Sequence, residues 1–137
     1  MTVRGEIVPK VTQLAVTLTN KAGALAQLCS TLGKAGVNVS ALVAPEIRGR
    51  GKVRLLVDNL DKAKEALKAA KLRFSEEEVV TMELDNRPNA LGEVAEKLAQ
   101  AKINIKYAYA TATEGSAKAT VLLSVPDVAK ALTVLDG

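Results

Sequence analysis

The chain repeats itself. An ungapped offset of 66 residues lays TNKAGALAQLCSTLGKAGVNV (19–39) on DNRPNALGEVAEKLAQAKINI (85–105). The same offset pairs Leu18 with Leu84, Asn20 with Asn86, Leu32 with Leu98 and Asn38 with Asn104. It continues through Gly49 and Gly115, Lys52 and Lys118, Leu56 and Leu122, and Asp61 and Asp127. Self-similarity at a fixed period sets the architecture before any single residue is read, because each copy must reach the same local structure. Two copies are expected, over 11–76 and 77–137.

Within each copy the hydrophobic period changes in a fixed order. Val11–Thr19 alternates, with Leu14, Val16 and Leu18 on one side and Gln13, Thr17 and Thr19 on the other, as a half-buried strand does. Leu25, Leu28, Cys29, Leu32 and Ala35 then follow helical spacing, and Gly36 is placed to end that helix at positive φ. Cys29 reads as a small buried hydrophobe on this face. A strand over 37–44, a glycine-rich turn over 48–52 and a strand over 53–58 come next. Asp61 is the expected N-cap of a helix through Ala70, and 72–74 reads as a short fourth strand. The second copy gives a strand over 79–84, a helix over 90–102, strands over 103–110 and 120–125, and a helix from Asp127. The order βαββαβ is the ferredoxin-like split motif, an α+β fold with an antiparallel sheet and both helices on one face. Position 71 maps onto 137, so the second copy is expected to lack its fourth strand, leaving an open sheet edge. Residues 2–9, the first copy's strand or a partner chain are candidates to cover it, and 72–85 could run as one long strand that ends the first sheet and begins the second.

Composition removes several functions. There is no His and a single Cys, so no Ser-His or Cys-His nucleophile pair and no Cys/His zinc site can form. No cofactor, metal or catalytic residue is expected. One Cys gives no internal disulfide, and no segment has the roughly 20 apolar residues of a bilayer span, so a cytoplasmic chain without a membrane partner is expected. Charge is uneven: residues 1–73 hold 13 Lys/Arg against 5 Asp/Glu, and 74–137 hold 6 against 10. The basic half can meet nucleic acid, or the acidic half of its own chain or of a second copy. The near-match of signs favours the latter and a homodimer. Glu76-Glu77-Glu78 is expected to be a solvated junction, and RGRGKVR (48–54) a solvated hairpin.

The strand-to-helix turns carry the candidate site. They are Asn20, Lys21, Ala22, Gly23, Ala24 and Leu25, and in the second copy Asn86, Arg87, Pro88, Asn89, Ala90 and Leu91. Each leads into a helix whose first N–H groups and positive dipole end suit a carboxylate. Gly23 allows close backbone approach, Pro88 suits helix initiation, and Asn89, in the glycine position, tolerates positive φ. Asn38 with Val39, and Asn104 with Ile105, follow the helices at identical places.

The layout of a strand, a (D/N)-x-P-G-x-L turn, a helix and a G-[IV]-N-[IV] strand resembles the ACT domain, a small regulatory module. ALGEVAEKLAQAKINIKYAYA is similar to the second half of stand-alone tandem ACT proteins. The resemblance spans residues 11–137. It implies sheets paired side by side and a free amino acid bound at domain interfaces by the turn residues above together with Asn38, Val39, Asn104 and Ile105. Departures are Ala22 where Pro is usual and Asn89 where Gly is usual. A regulated enzyme partner is implied, with no catalysis by this chain. The alternative is an RNA-binding ferredoxin-like protein, but stacking aromatics are confined to Phe74, Tyr107 and Tyr109, so nucleic acid is disfavoured. An acylphosphatase-like enzyme would need an Arg-bearing phosphate loop that NKAGAL lacks.

Overall fold

The computed structural model describes residues 5–45 and 48–136, with side chains described from residue 10 onward. Residues 2–4 of the expected covering segment lie outside the described residues, whereas Arg48 of the basic hairpin is described and exposed. The elements in order are β1 (Gly5–Thr19), α1 (Ala24–Lys34), β2 (Val39–Val43), β3 (Arg50–Val57), α2 (Leu60–Ala69), β4 (Phe74–Asp85), α3 (Ala90–Gln100), β5 (Tyr107–Ala112), β6 (Lys118–Ser124) and α4 (Val128–Asp136). The chain divides into two compact units, Thr12–Glu77 and Met1–Val11 with Glu78–Gly137. Each is ferredoxin-like. Among the described residues no helix is long and apolar enough to cross a membrane.

In the first unit β3 lies between β2 and β1, antiparallel to both, with Leu14 opposite Leu55 and Thr19 opposite Arg50. β4 flanks the other side of β1. Leu14, Val16, Val53 and Leu55 meet Leu28 and Leu32 of α1 and Ala63 and Leu67 of α2 in one core. Both helices therefore cover the same face, as the split motif requires. In the second unit β6 lies between β4 and β5, antiparallel to both. Val80, Met82, Leu84, Val121 and Leu123 pack on Val94, Leu98, Ala131 and Leu135. After α4 no strand follows among the described residues. The place beside β4 is taken by the start of β1, where Lys10 pairs with Glu78 at 3.3 Å. Residues 74–85 do run as a single strand.

Four expectations are corrected. Cys29 is exposed. The buried stripe of α1 is Ala24, Leu28 and Leu32, a narrow i, i+4, i+8 row, and Leu25 and Cys29 stand on its flank. Gln13, assigned to the solvent side of its strand, is fully buried. Its amide donates to Glu77 Oε1 at 3.4 Å, which also accepts from Arg54 Nε at 3.0 Å, so its burial is compensated. The acidic run is solvated only in part: Glu76 and Glu78 are exposed as expected, but Glu77 is half-buried and pairs with Arg54, and Glu76 also pairs with Lys64 at 3.4 Å. Part of the charge asymmetry is thus answered within the chain. Finally, α2 is capped by Asn59, not Asp61. Asn59 has extended backbone, and its side chain accepts from Lys62 N at 3.1 Å. Asp61 lies in the first turn, where its charge favours the dipole. Element ends also shift: Arg50–Lys52 already belong to β3, and β2 begins at Val39.

Candidate functional site

The turn after β1 is built by backbone hydrogen bonds. Asn20 N donates to Gly49 O at 2.6 Å, tying the turn to the β2–β3 hairpin. Lys21 N donates to Thr19 O at 2.9 Å and Ala24 N to Lys21 O at 3.3 Å. Gly23 then stands at the N-cap with φ 88°, and no side chain caps the helix. A non-glycine residue at that φ is strained against its own backbone even though the space around it is open, so the position favours glycine. The first turn of α1 has no acidic residue. The positive end of this helix is therefore uncompensated by any acidic residue of its own first turn.

Beside this turn lies a cavity of about 310 Å³. Its apolar wall is Leu18, Ala24, Leu25, Ala44, Pro45 and Val53. Thr19, Asn20, Lys21 and Gly51 complete it. Leu25, on the flank of α1, is 41% exposed and forms part of this wall. Among the described residues Lys21 makes no ion pair. Arg50 is opposite Thr19 across the ladder and is not among the residues that line the cavity.

The second turn has the same backbone and different electrostatics. Asn89 takes the N-cap with φ 64°, and a Cβ at Gly92 would run into its side-chain oxygen. Asn86 Nδ2 donates to Ser116 O at 2.9 Å. Arg87 Nη2 meets Glu93 Oε2 at 2.8 Å, and its Nε lies 3.8 Å from Asp85 Oδ2. Lys118 Nζ also reaches Asp85, at 2.8 Å. The Glu93 hydrogen bond, aided by the charges of Glu93 and Asp85 against a smaller desolvation effect, holds Arg87 above the ordinary arginine pKa. The equivalents of Asp85, Glu93 and Ser116 in the first copy are Thr19, Gln27 and Arg50. The second turn supplies its own carboxylates, and the first supplies none.

Of the candidate residues, Asn20, Lys21, Ala24 and Leu25 come together around one cavity. Ala22 and Gly23 shape the turn and do not line it. Asn86, Arg87, Pro88, Asn89, Ala90 and Leu91 form the matching turn of the second unit. Asn38 and Val39 are not brought to the turn of their own unit. Val39 is level with Val57 on β3, and Thr19 with Arg50, a separation of about 24 Å at ~3.4 Å per residue. Asn38 is instead tied to Asp58: its N donates to Asp58 Oδ1 at 2.9 Å, and its O accepts from Asp58 N at 3.0 Å. Asn104 and Ile105 precede β5, whose Tyr107 pairs with Ser124 at the sheet end away from Asp85 and Lys118. The residues missed were Leu18 and Thr19 of β1, Gly51 and Val53 of β3, and Ala44 and Pro45 just past the far end of β2. The split motif makes β1 and β2 parallel, so their last residues, not their first, meet at one end of the sheet.

Gly23→Ala is expected to lower stability by about 1–2 kcal/mol through its forced positive φ, whereas Asn89→Gly is expected to change it by less than about 0.5 kcal/mol. Urea denaturation of both variants measures the difference. Equal effects would show that the two N-caps are not under the same backbone constraint.

Other candidate chemistry is sparse. Among the described residues no three His, Cys, Asp or Glu side chains gather as metal ligands. Phe74 packs against the first unit's core, and Tyr107 and Tyr109 are half-buried. These side chains present no stacking platform for bases.

A model of the ACT domain pair family matches residues 9–134. The crystal structure of protein BT0572 from Bacteroides thetaiotaomicron is similar at a TM-score of 0.86 and 32% identity, covering 92% of this chain and 86% of that one. The ligand-free regulatory subunit of aspartate kinase from Thermus thermophilus has a TM-score of 0.63 at 15% identity, covering 95% of each chain. E. coli aspartokinase III in complex with lysine and aspartate has a TM-score of 0.61 at 16% identity, covering 99% of this chain and 33% of that one. At those identities the last two show a shared fold. No curated protein matches the chain in sequence.

Proposed function

Since the chain belongs to the ACT domain pair family, we propose that it is a regulatory protein that senses a free amino acid in the cavity of its first unit and performs no catalysis itself. The observation that carries this reading is that Asn20, Lys21, Ala24 and Leu25 line one cavity at the start of a helix whose first turn holds no acidic residue. The ligand carboxylate lies against Lys21 and the first N–H groups of α1, and its side chain meets Leu18, Leu25, Pro45 and Val53. A volume near 310 Å³ sits at the small end of ligand sites, which run roughly 300–1,000 Å³. The second turn, whose Arg87 is already held by Glu93 and Asp85, plays a structural part in this reading.

A bound ligand acts by favouring the conformation or assembly that binds it best. The output passes through a homodimer or through an enzyme partner, in the manner of the aspartate kinase regulatory subunit whose fold it shares. Thermal unfolding in the presence of each of the twenty amino acids at millimolar concentration tests the proposal. Ligand at 100 times its Kd stabilises by about 2.7 kcal/mol, a shift of several degrees for units this small. A selective shift for one amino acid or a small set is expected. A flat profile across all twenty would overturn the amino-acid reading.

A further inference from the structure

One end of each unit, where its first strand meets its first helix, carries unbalanced charge, and the two ends are opposite in sign. In the first unit, residues 17–27 and 44–53 hold Lys21, Arg48, Arg50 and Lys52 against Glu46, a net +3. The segments one repeat later, 83–93 and 110–119, hold Glu83, Asp85, Glu93 and Glu114 against Arg87 and Lys118, a net −2. The fold gathers each set. Thr17 and Thr19 at the end of β1 stand opposite Lys52 and Arg50 on β3, and Asn20 N ties the turn to the hairpin at Gly49 O. Glu83 and Asp85 at the end of β4 stand opposite Thr120 and Lys118 on β6. Asn86 Nδ2 reaches Ser116 O, in the turn that holds Glu114. Residues two apart on a strand share a face. Arg50 with Lys52, and Glu83 with Asp85, therefore lie on the sheet face away from the core residues Val53 and Leu55, and Met82 and Leu84.

These charges are available to a partner. Lys21, Arg48, Arg50 and Lys52 are exposed, as are Glu83 and Glu114, and among the described residues none of the six enters an ion pair. Each end also shows a large apolar side chain to solvent, Leu25 at the start of α1 and Leu91 at the same place on α3. An apolar centre within a charged rim is how interfaces between proteins are composed. The signs are not demanded by the fold, because the two units build the same turn with opposite charge. We propose that the basic end of the first unit docks on the acidic end of the second unit of another copy of this chain. Like ends repel, so the charges select basic-to-acidic contact and reject the alternatives. The acidic partner is present at the chain's own concentration, which singles out a second copy over a polyanion. The contact does not depend on what the first unit's cavity holds.

Analytical ultracentrifugation of the full chain, without ligand, tests this. Self-association is expected at low salt, weakening about tenfold or more between about 0.05 M and about 0.5 M NaCl as exposed charges are screened. Arg50→Glu with Lys52→Glu makes both ends net acidic, and Glu83→Lys with Glu114→Lys makes both net basic. Each doubly substituted chain alone is expected to associate about tenfold more weakly or worse, and an equimolar mixture of the two to regain association, because every basic end again meets an acidic one. All four positions are exposed, and the melting temperature of each variant checks that it folds. A mixture that stays as dissociated as its components overturns the proposal. So does an unsubstituted chain that associates equally at both salt concentrations, or is monomeric at both. A monomeric chain that binds single-stranded RNA at low salt assigns the basic end to nucleic acid and overturns the proposal likewise.

Discussion

Gly51→Val is expected to weaken ligand binding at least 100-fold while leaving the fold intact. Gly51 sits opposite Leu18 in the β1–β3 ladder and lines the cavity. Val53, two residues along the same strand and so on the same face, is buried in the core. A valine at 51 therefore points its branched side chain into the space the ligand needs. β-branched residues suit strands, so the backbone gains rather than loses support. A 100-fold loss corresponds to about 2.7 kcal/mol, which is in the range for excluding a ligand's side chain from an apolar pocket. The second unit gives an internal control. Its equivalent residue is Ala117, and Ala117→Val should leave affinity unchanged. Titration of both variants with the ligand found by the thermal screen decides the matter. An unchanged Kd in Gly51→Val would place the ligand outside this cavity.

The second large effect concerns stability. Leu32 and Leu98 occupy the same repeat position, and both are at most 1% exposed in the cores of their units. Truncation to alanine removes buried methyl groups and leaves a hole that close-packed neighbours fill incompletely. Each of Leu32→Ala and Leu98→Ala is expected to cost about 2–5 kcal/mol, a large share of the roughly 5–15 kcal/mol that holds a typical domain together. Leu91→Ala is the contrast. Leu91 lies on the same helix as Leu98 but is 44% exposed, and its loss should cost under about 1 kcal/mol. Urea titration separates the two outcomes. Comparable losses at 91 and 98 would mean that the stripe of α3 has been assigned to the wrong side.

The element order was legible because the copies corroborate one another. An apolar period ambiguous in one copy is resolved by its partner 66 residues away, and Ala24, Leu28 and Leu32 recur in register as Ala90, Val94 and Leu98. The turns were legible for a different reason: few residues tolerate positive φ, and Gly23 and Asn89 both show it. What period could not show was which neighbours a residue would meet. Gln13 is polar and alternates correctly, yet it is buried because Glu77, distant in sequence, accepts from its amide. Cys29 fits a helical stripe on paper, but the helix presents a row only one residue wide to the sheet. Asn38 and Asn104 share their repeat position and their polarity. Identity between copies says that two residues do the same thing, and says nothing about what that thing is. Strand direction would have pointed instead to the far end of β2, where Ala44 and Pro45 line the cavity.

The start of β1 beside β4 has a consequence for how this chain can be cut and rejoined. Read from Glu78, the second unit runs strand, helix, strand, strand, helix, and its closing strand is Gly5–Val11, supplied from ahead of the first copy. In cyclic order it is a complete βαββαβ module. In linear order it is not. Excising 77–137 would strip β4 of a neighbour and bare its backbone N–H and C=O groups, while a circular permutant that carries Gly5–Val11 after α4 through a short linker restores the module's own sequence of elements. The repeat is a linear segment, but the thing that folds is a ring of elements opened at a different point.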